Sequence, residues 1–322
     1  MKAVSYRSYG SPEDVEVLEV DQPAPEDDDV LIRVHAASVN PYDWHMMRGE
    51  PYLVRLQAGL RRPKLTTLGA DVAGRVEAVG SNVTEFQAGD EVFGQGRGSF
   101  AEYVTASPRA LALKPPGVTF EQAAAVPIAG LTALQGLRDK GRIAPGHRVL
   151  INGASGGVGT FAVQIAKTYG AEVTGVCSTR NLDLVLSIGA DHVVDYTTDD
   201  FTESGEQYDL ILDAVGNRSL SAYRRAMTPK GVLVVAGAHE MGNWVGPLVH
   251  LAKVALRSAF SSHKMVVMLA STKASDLAVL GELLASGKVT PVIDRTYPLA
   301  ETADAIRHVE EGHARGKVII VS

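Results

Sequence analysis

The sequence predicts an α/β protein, a doubly wound parallel sheet joined to a mostly-β domain. Three observations predict it. A strand, a glycine turn, a helix and a second strand succeed one another between Arg148 and Arg180. Apolar runs keep alternating with amphipathic stretches after that point, and residues 1 to 121 carry short alternating segments set apart by glycine turns.

The organising stretch opens with Val149, Leu150 and Ile151, a run suited to a buried parallel strand. The turn Gly153-Ala154-Ser155-Gly156-Gly157-Val158-Gly159 follows. Val158, Phe161, Ala162, Ile165, Ala166 and Tyr169 then fall on one helical face. Gly170 is placed for a left-handed helix end, and Val173–Cys177 reads as the second strand. This order marks a dinucleotide-binding unit. Gly156 and Gly157 let the backbone approach a pyrophosphate, and Gly159 lets the helix pack on the sheet. Ser155, Gly156, Gly157 and Val158 are therefore the expected pyrophosphate contacts, helped by the positive end of the helix dipole. Ala154 stands where the fingerprint has its first glycine.

The end of the second strand bears on which nucleotide is bound. NAD-binding chains place a carboxylate there. This chain has Cys177-Ser178-Thr179-Arg180, with no carboxylate until Asp183. Ser178 and Arg180 suit a 2′-phosphate, so NADPH is the expected cofactor and NADH the alternative. Ser178 and Thr179 could equally cap the next helix.

Before this unit, Val15, Val17 and Val20, then Val30, Ile32, Val34 and Ala36, alternate as strands around a solvated acidic turn at Glu26–Asp29. Further strands are expected at Gly74–Gly80, Glu91–Gly94 and Phe100–Val104, which together suggest a curled, partly closed barrel. Lys114-Pro115-Pro116-Gly117 breaks the pattern, and a helix is expected from Phe120 to Leu137. Beyond Arg180, strands are expected at His192–Tyr196, Tyr208–Asp213 and Gly231–Gly237. A helix near Asp276–Ser286, an extended Val289–Leu299, a helix Glu301–Glu310 and a strand Val318–Val321 complete the chain. The apolar residues 239–262, with Trp244, Leu248, Leu251 and Phe260, read as a helical lid, a dimer contact or a core-covering helix.

The net charge of −6 argues against a nucleic-acid or anionic-membrane partner. The single cysteine, Cys177, excludes an intramolecular disulfide. Residues 247–260 are interrupted by His250, Lys253 and Arg257, so a spanning helix is not expected. The opening residues lack a signal pattern, and a cytoplasmic setting is the default expectation.

With these pieces placed, the chain resembles the medium-chain dehydrogenase/reductase superfamily, and within it the zinc-independent quinone oxidoreductase-like branch. The matching segments are Ala37–Asp43, Gly69–Gly80, Gly89–Gly94, Leu131–Ala133, Gly156–Gly159 and Gly312–Lys317. The resemblance implies a GroES-like catalytic domain over 1–121, a Rossmann NADP-binding domain over 122–266, and a return of 267–322 to the catalytic domain. It implies that Asn40 lies near the nicotinamide ribose or substrate and Thr132 beside the nicotinamide. It further implies that Tyr196 lies near the adenosine and that Arg315 reaches the cofactor phosphates.

Zinc-dependent relatives carry Cys at the position of Asn40 and Gly-His-Glu where this chain has Gly69-Ala70-Asp71, so no zinc is expected. A metal-free site must polarise a carbonyl by hydrogen bonds. Tyr42 and His45, just after Asn40, are the candidate donors, and Tyr52 is a further one. A Lys replaces His45 in some relatives. The alternative for Tyr42 is burial in the core.

The expected activity is NADPH-dependent reduction of a quinone or an α,β-unsaturated carbonyl by direct hydride transfer. The alternatives are a metal-free NADP-dependent alcohol dehydrogenase or carbonyl reductase, and a non-catalytic NADPH-binding adaptor.

Overall fold

The computed structural model describes residues 1–237 and 264–322, so the expectation for 239–262 lies outside the described residues. The chain divides into two compact units. The first comprises Met1–Ala129, Ser271–Gly287 and Pro291–Ser322; the second comprises Gly130–Ala270 and Lys288–Thr290.

In the first unit β1 (Lys2–Ser5) and β2 (Glu16–Glu19) form an antiparallel pair. The larger sheet runs in the order β14 (Ile293–Pro298), β15 (Lys317–Val321), β3 (Val30–Val39), β4 (Asp71–Val79), β5 (Glu91–Gln95) and β7 (Leu111–Leu113). β3 pairs with β4 from Val30 to Ser38. Its other edge is divided: Val30–Arg33 pair with β6 (Tyr103–Ala106), and Ala36–Val39 pair with β15. β3 also shifts register against β4 at Leu31/Ile32 and at Val34/Ala36, and irregularities of this kind bend a strand and curl its sheet. Val4, Ile32, Val72, Phe100, Val318 and Ile320 fill the core. The alternation at Val15, Val17 and Val20 buries little, because β2 pairs only with β1 and Val17 is exposed. The acidic turn is fixed rather than merely solvated: Asp27 and Asp28 accept from Ser81 and Asn82 at 2.8 and 2.9 Å.

β3 ends where α1 (Pro41–Arg48) begins. α1 is pinned at its far end by a bidentate ion pair between Arg48 and Glu310. A short helix, α2 (Arg55–Ala58), follows it. The single helix expected over 120–137 is instead α3 (Phe120–Ala124) and α4 (Pro127–Gln135), followed by a π-helical turn at Gly136–Lys140. Pro127 causes the break, since it has no N–H to donate and disfavours helical geometry in the residue before it.

The second unit is a parallel sheet in the order β10 (His192–Asp195), β9 (Glu172–Cys177), β8 (Arg148–Asn152), β11 (Tyr208–Asp213), β12 (Met227–Val235) and β13 (Lys264–Val267). Every neighbouring pair in it is parallel. The chain proceeds outward from β8 in one direction and from β11 in the other, so the order reverses between them. This is the doubly wound arrangement, and ligands gather at the strand ends beside such a reversal. α5 (Gly157–Thr168) connects β8 to β9, and Gly170 takes the left-handed φ of +74° at its end. α6 (Leu182–Ser187) and α7 (Leu220–Arg225) belong to the same unit. α8 (Ala274–Ala285) and α9 (Thr302–Glu310) belong to the first.

Candidate active site

In the second unit, Asn152 and Asp213 are partners at the ends of β8 and β11. Asn152 Nδ2 donates to Asp213 Oδ1 at 2.9 Å, and the buried Tyr223 hydroxyl donates to Asp213 Oδ2 at 2.5 Å. Burial, with Asp213 beside it, pushes the Tyr223 hydroxyl up, so it stays a donor. Asp213 Oδ1 also accepts from the N–H groups of Val215 and Gly216. The strand ends at the reversal are thus held rigidly by buried, satisfied polar groups.

The glycine turn leaves β8 with Gly153 at φ +85°. A Cβ on Gly159 would stand 2.0 Å from the Gly153 carbonyl oxygen, whereas on Gly156 it would meet only that oxygen, at 3.4 Å. α5 therefore lies against its own turn, and no side chain caps its start at Gly156. Uncapped first-turn N–H groups at the end of a twelve-residue helix are anion donors. Ser155, Gly156, Gly157 and Val158 all sit half-buried on this turn.

Asn181 gathers the neighbouring residues. Its Nδ2 donates to Ser155 Oγ at 3.0 Å and to Ser178 Oγ at 3.1 Å, while its buried Oδ1 has no partner. Ser178 and Arg180 lie on the turn after β9, with Arg180 exposed. Tyr196 is half-exposed and donates its N–H to the Cys177 carbonyl at 3.0 Å, which brings it beside the same turn.

One charge was missed from the sequence. Asp195 ends β10 directly across from Cys177 and accepts from Thr179 Oγ1 and Thr197. The Thr179 hydrogen bond, foremost, holds its carboxyl below the usual range, so it is ionised. It lies sixteen positions after Thr179, and only the parallel pairing of β10 with β9 reveals it. Cys177 itself is buried, and burial pushes its thiol up to about 11, which makes it unreactive.

In the first unit, Ser38, Asn40, Asp43, Asp71 and Lys317 form a buried polar cluster, each at most 3% exposed. Asp71 Oδ2 accepts from Ser38 Oγ and Asn40 Nδ2, both at 2.9 Å, and Asp71 Oδ1 accepts from the Ile128 N–H at 3.0 Å. Asn40 Nδ2 also donates to the Ser38 carbonyl, and Asn40 Oδ1 accepts from Lys317 Nζ at 2.6 Å. Burial raises the Asp71 carboxyl and lowers the Lys317 ammonium, and each opposes the other's shift. The Asn40 amide is thus committed to protein partners, a stronger constraint than its residue type suggests. Asp71 and Lys317 were not among the sequence candidates, and only strand pairing unites them.

Asp43 Oδ2 accepts the Asn40 N–H at 2.7 Å, while its buried Oδ1 has no partner. Burial is the main cause that pushes this carboxyl from 3.8 up to about 7. The folded protein holds the proton more tightly than the unfolded chain does. Asp43 therefore leaves stability intact below about pH 4 and costs a few kcal/mol as pH rises through about 7. Asp43→Asn keeps the acceptor and removes the titration. From pH 5 to 8 the wild type is expected to lose about 5 °C or more of melting temperature relative to that variant. Thermal melts of both proteins across this range provide the check, and parallel pH dependence would refute the assignment.

Tyr42 is 48% exposed on α1, not in the core. Its hydroxyl is raised by burial of its inner part and by Asp43, so it stays protonated. The His45 ring lies tilted against Trp44, and its Nδ1 faces the Glu50 carbonyl at 2.7 Å. Nδ1 must then carry the hydrogen, which leaves Nε2 an acceptor, and burial lowers the ring's basicity. Neutral His45 in this tautomer has no proton to give at Nε2. Thr132 is buried on α4, Tyr52 is half-buried before α2, and Arg315 is exposed on the turn before β15. The structure thus gathers Asn40, Tyr42 and His45 in one unit and Ser155–Val158, Ser178, Arg180 and Tyr196 in the other.

Among the described residues, no three His, Cys, Asp or Glu side chains converge to hold a metal ion. At two of the positions where the sequence departs from zinc-dependent relatives, Asn40 and Asp71 are bonded to each other, with the Lys317 ammonium against Asn40 and 3.8 Å from Asp71. A divalent cation there would meet that ammonium at close range, so these residues do not fit a catalytic zinc.

Comparison with known proteins agrees with this architecture. The family described as alcohol dehydrogenase GroES-like domain matches residues 26–116, and that described as zinc-binding dehydrogenase matches residues 188–320. The chain is 34% identical to the chloroplast envelope quinone oxidoreductase homolog of Arabidopsis thaliana, over 99% of this chain and 98% of that protein. It is 38% identical to the mitochondrial NAD(P)H oxidoreductase RTN4IP1 of Mus musculus, over 91% of this chain and 81% of that one. The structure of Escherichia coli quinone oxidoreductase complexed with NADPH superposes with a TM-score of 0.85 at 25% identity, covering 100% of both chains. A doubly wound nucleotide-binding unit, a curled β unit and full-length likeness to these enzymes lead to one conclusion: the chain belongs to the medium-chain dehydrogenase/reductase superfamily, as an oxidoreductase of its quinone oxidoreductase-like branch.

Proposed function

We propose that the protein reduces a quinone or an α,β-unsaturated carbonyl with NADPH, by direct hydride transfer and without a metal. The uncapped turn at 153–159 carries the nucleotide part of this reading, because its bare backbone and free first-turn N–H groups suit a pyrophosphate. Ser155–Val158 would hold the pyrophosphate, and Ser178 with Arg180 the 2′-phosphate. Tyr196 would border the adenosine, with Thr132 at the nicotinamide and Arg315 toward the phosphates. NADPH, when bound, supplies a hydride. The acceptor class follows from the relatives named as quinone oxidoreductases. A quinone is itself a conjugated enone, so one site can serve both.

Tyr42 is the donor this reading selects. Its protonated hydroxyl, on a half-exposed side chain, can hydrogen-bond the acceptor oxygen as negative charge develops there. His45 contributes ring orientation rather than a proton. Hydride addition to a quinone followed by protonation yields the hydroquinone. Addition to the β-carbon of an enone followed by protonation at the α-carbon yields the saturated ketone. Among the described residues no helix is long and apolar enough to cross a membrane, and the sole thiol is buried. A cytoplasmic setting is part of the proposal.

Stopped-flow loss of NADPH absorbance with quinone and enone panels tests the reading, with product analysis on the enones. Saturated ketone with the carbonyl intact is expected from metal-free protein. Tight NADPH binding without turnover of any acceptor would favour the adaptor alternative, and alcohol products would favour a carbonyl reductase. Tyr42→Phe is expected to lower kcat about 10- to 100-fold with little change in NADPH affinity.

A further inference from the structure

Three adjacent strands of the first sheet bring charged and polar side chains to one buried point. Lys317 opens β15, Asn40 follows β3, and Asp71 opens β4; Val318 pairs with Val39, and Ser38 with Asp71. Burying an ammonium is costly, and an apolar side chain of similar volume is often at least as stabilising. The position therefore calls for an explanation beyond packing.

The geometry of the bonds supplies one. The Lys317 ammonium does not make its closest contact with the carboxylate. It donates to Asn40 Oδ1 at 2.6 Å and to the Val39 carbonyl at 3.1 Å, while Asp71 Oδ2 stands 3.8 Å away. Two charge-assisted bonds thus converge on consecutive residues at the junction of β3 and α1. Asp71 holds the same Asn40 from the other side through Nδ2. The Asn40 N–H then closes the first turn of α1 onto Asp43 Oδ2. Tyr42 lies inside that turn. Asp71 also takes the Ile128 N–H in the first turn of α4, the helix that carries Thr132.

We propose that Lys317 is a positioning residue: its ammonium, held between Asn40 and Asp71, fixes the start of α1 and thereby the place of the Tyr42 hydroxyl. This rests on the reading of Tyr42 as the donor to substrate. The cluster places a buried side-chain charge beside Asn40 and Asp71, two positions at which the sequence departs from zinc-dependent relatives. It orders the wall of the site rather than binding the reacting oxygen.

Two variants of the full chain separate hydrogen bonding from charge. Lys317→Met removes both, and Lys317→Gln keeps a donor for Asn40 Oδ1. Hydrogen exchange read by mass spectrometry reports on order without needing turnover. Lys317→Met is expected to speed exchange of residues 41–48 about tenfold, with residues 149–177 unchanged. With NADPH and a para-benzoquinone, kcat is expected to fall about 10- to 100-fold while the NADPH Kd stays within about threefold; Lys317→Gln loses less.

The pH profile adds a readout that simple destabilisation would not move. Asp43 is faced by Asp71 from β4, Lys317 from β15, Tyr6 from the segment after β1, the backbone N–H groups of Asn40 and Gly69, and Tyr42 on its own helix. Losing the ammonium leaves the like charge of Asp71 unopposed, so a limb due to Asp43 should move upward by about one unit in Lys317→Met.

Unchanged exchange at 41–48 with kcat within about twofold would overturn the proposal. So would a loss of protection spread equally over 149–177 in both variants, which would make Lys317 a stability element alone. If Lys317→Met does not fold, Lys317→Gln carries the same test. If the wild type turns over no acceptor while exchange at 41–48 responds as expected, the functional reading fails and the positioning role stands.

Discussion

Gly159→Ala is expected to cost the protein its nucleotide. A methyl group there would lie 2.0 Å from the Gly153 carbonyl oxygen and 2.7 Å from Ala154 Cα, both backbone atoms of the turn itself. Neither can swing away as a flexible side chain would, so α5 must move off the turn. The first-turn N–H groups then no longer converge on one anion. Losing two or three charge-assisted bonds, each about 1.5–3 kcal/mol, lowers NADPH affinity by about 100-fold or more. The melting temperature falls as well, because the strain is borne by the core of the second unit. Gly156→Ala separates the two effects. Its new methyl meets only one atom, at 3.4 Å, so stability stays near that of the wild type. Affinity still drops, because the methyl stands where the phosphate approaches. Fluorescence titration with NADPH, paired with thermal melts, distinguishes them. Wild-type affinity in Gly159→Ala would remove the turn from the binding site.

Arg180→Ala is expected to reduce the preference for NADPH over NADH about 10- to 100-fold, mostly by weakening NADPH. The balance at this turn is finer than the local sequence implies. Asp195 is ionised beside Thr179 and opposes a second negative group, although its lone pairs are occupied by Thr179 and Thr197. Asp195→Asn should therefore move the preference the other way, toward NADPH. The ratio of kcat/KM for the two nucleotides measures both shifts. An unchanged ratio in Arg180→Ala would place the 2′-phosphate elsewhere.

What the sequence disclosed followed the range of the forces involved. The parallel unit was legible because its signals are local: the apolar run at Val149–Ile151, the glycine turn and the stripe from Val158 to Tyr169 each act within a few residues. The break at Pro127 is masked in the sequence by the alanine-rich run on either side of it. The weak face of β2 was not legible, since alternation reports a pleat and not what covers it. The buried cluster was the least visible feature. Lys317 lies 277 positions from Asn40, and its charge by itself predicts a surface residue. Tyr42 and His45 were found together by proximity to Asn40, yet telling their roles apart required the Glu50 carbonyl that fixes the ring of His45.

The placement of β15 affects how the protein is made. It lies inside its sheet, between β14 and β3, although its residues, 317–321, leave the ribosome long after those of β3. Residues 130–270 can collapse around their own strands during translation. The earlier sheet must meanwhile wait with the Ala36–Val39 edge of β3 unpaired. Loss of residues 317–321 would therefore damage the first-made half of the protein more than the second, because it would leave that edge of β3 unpaired.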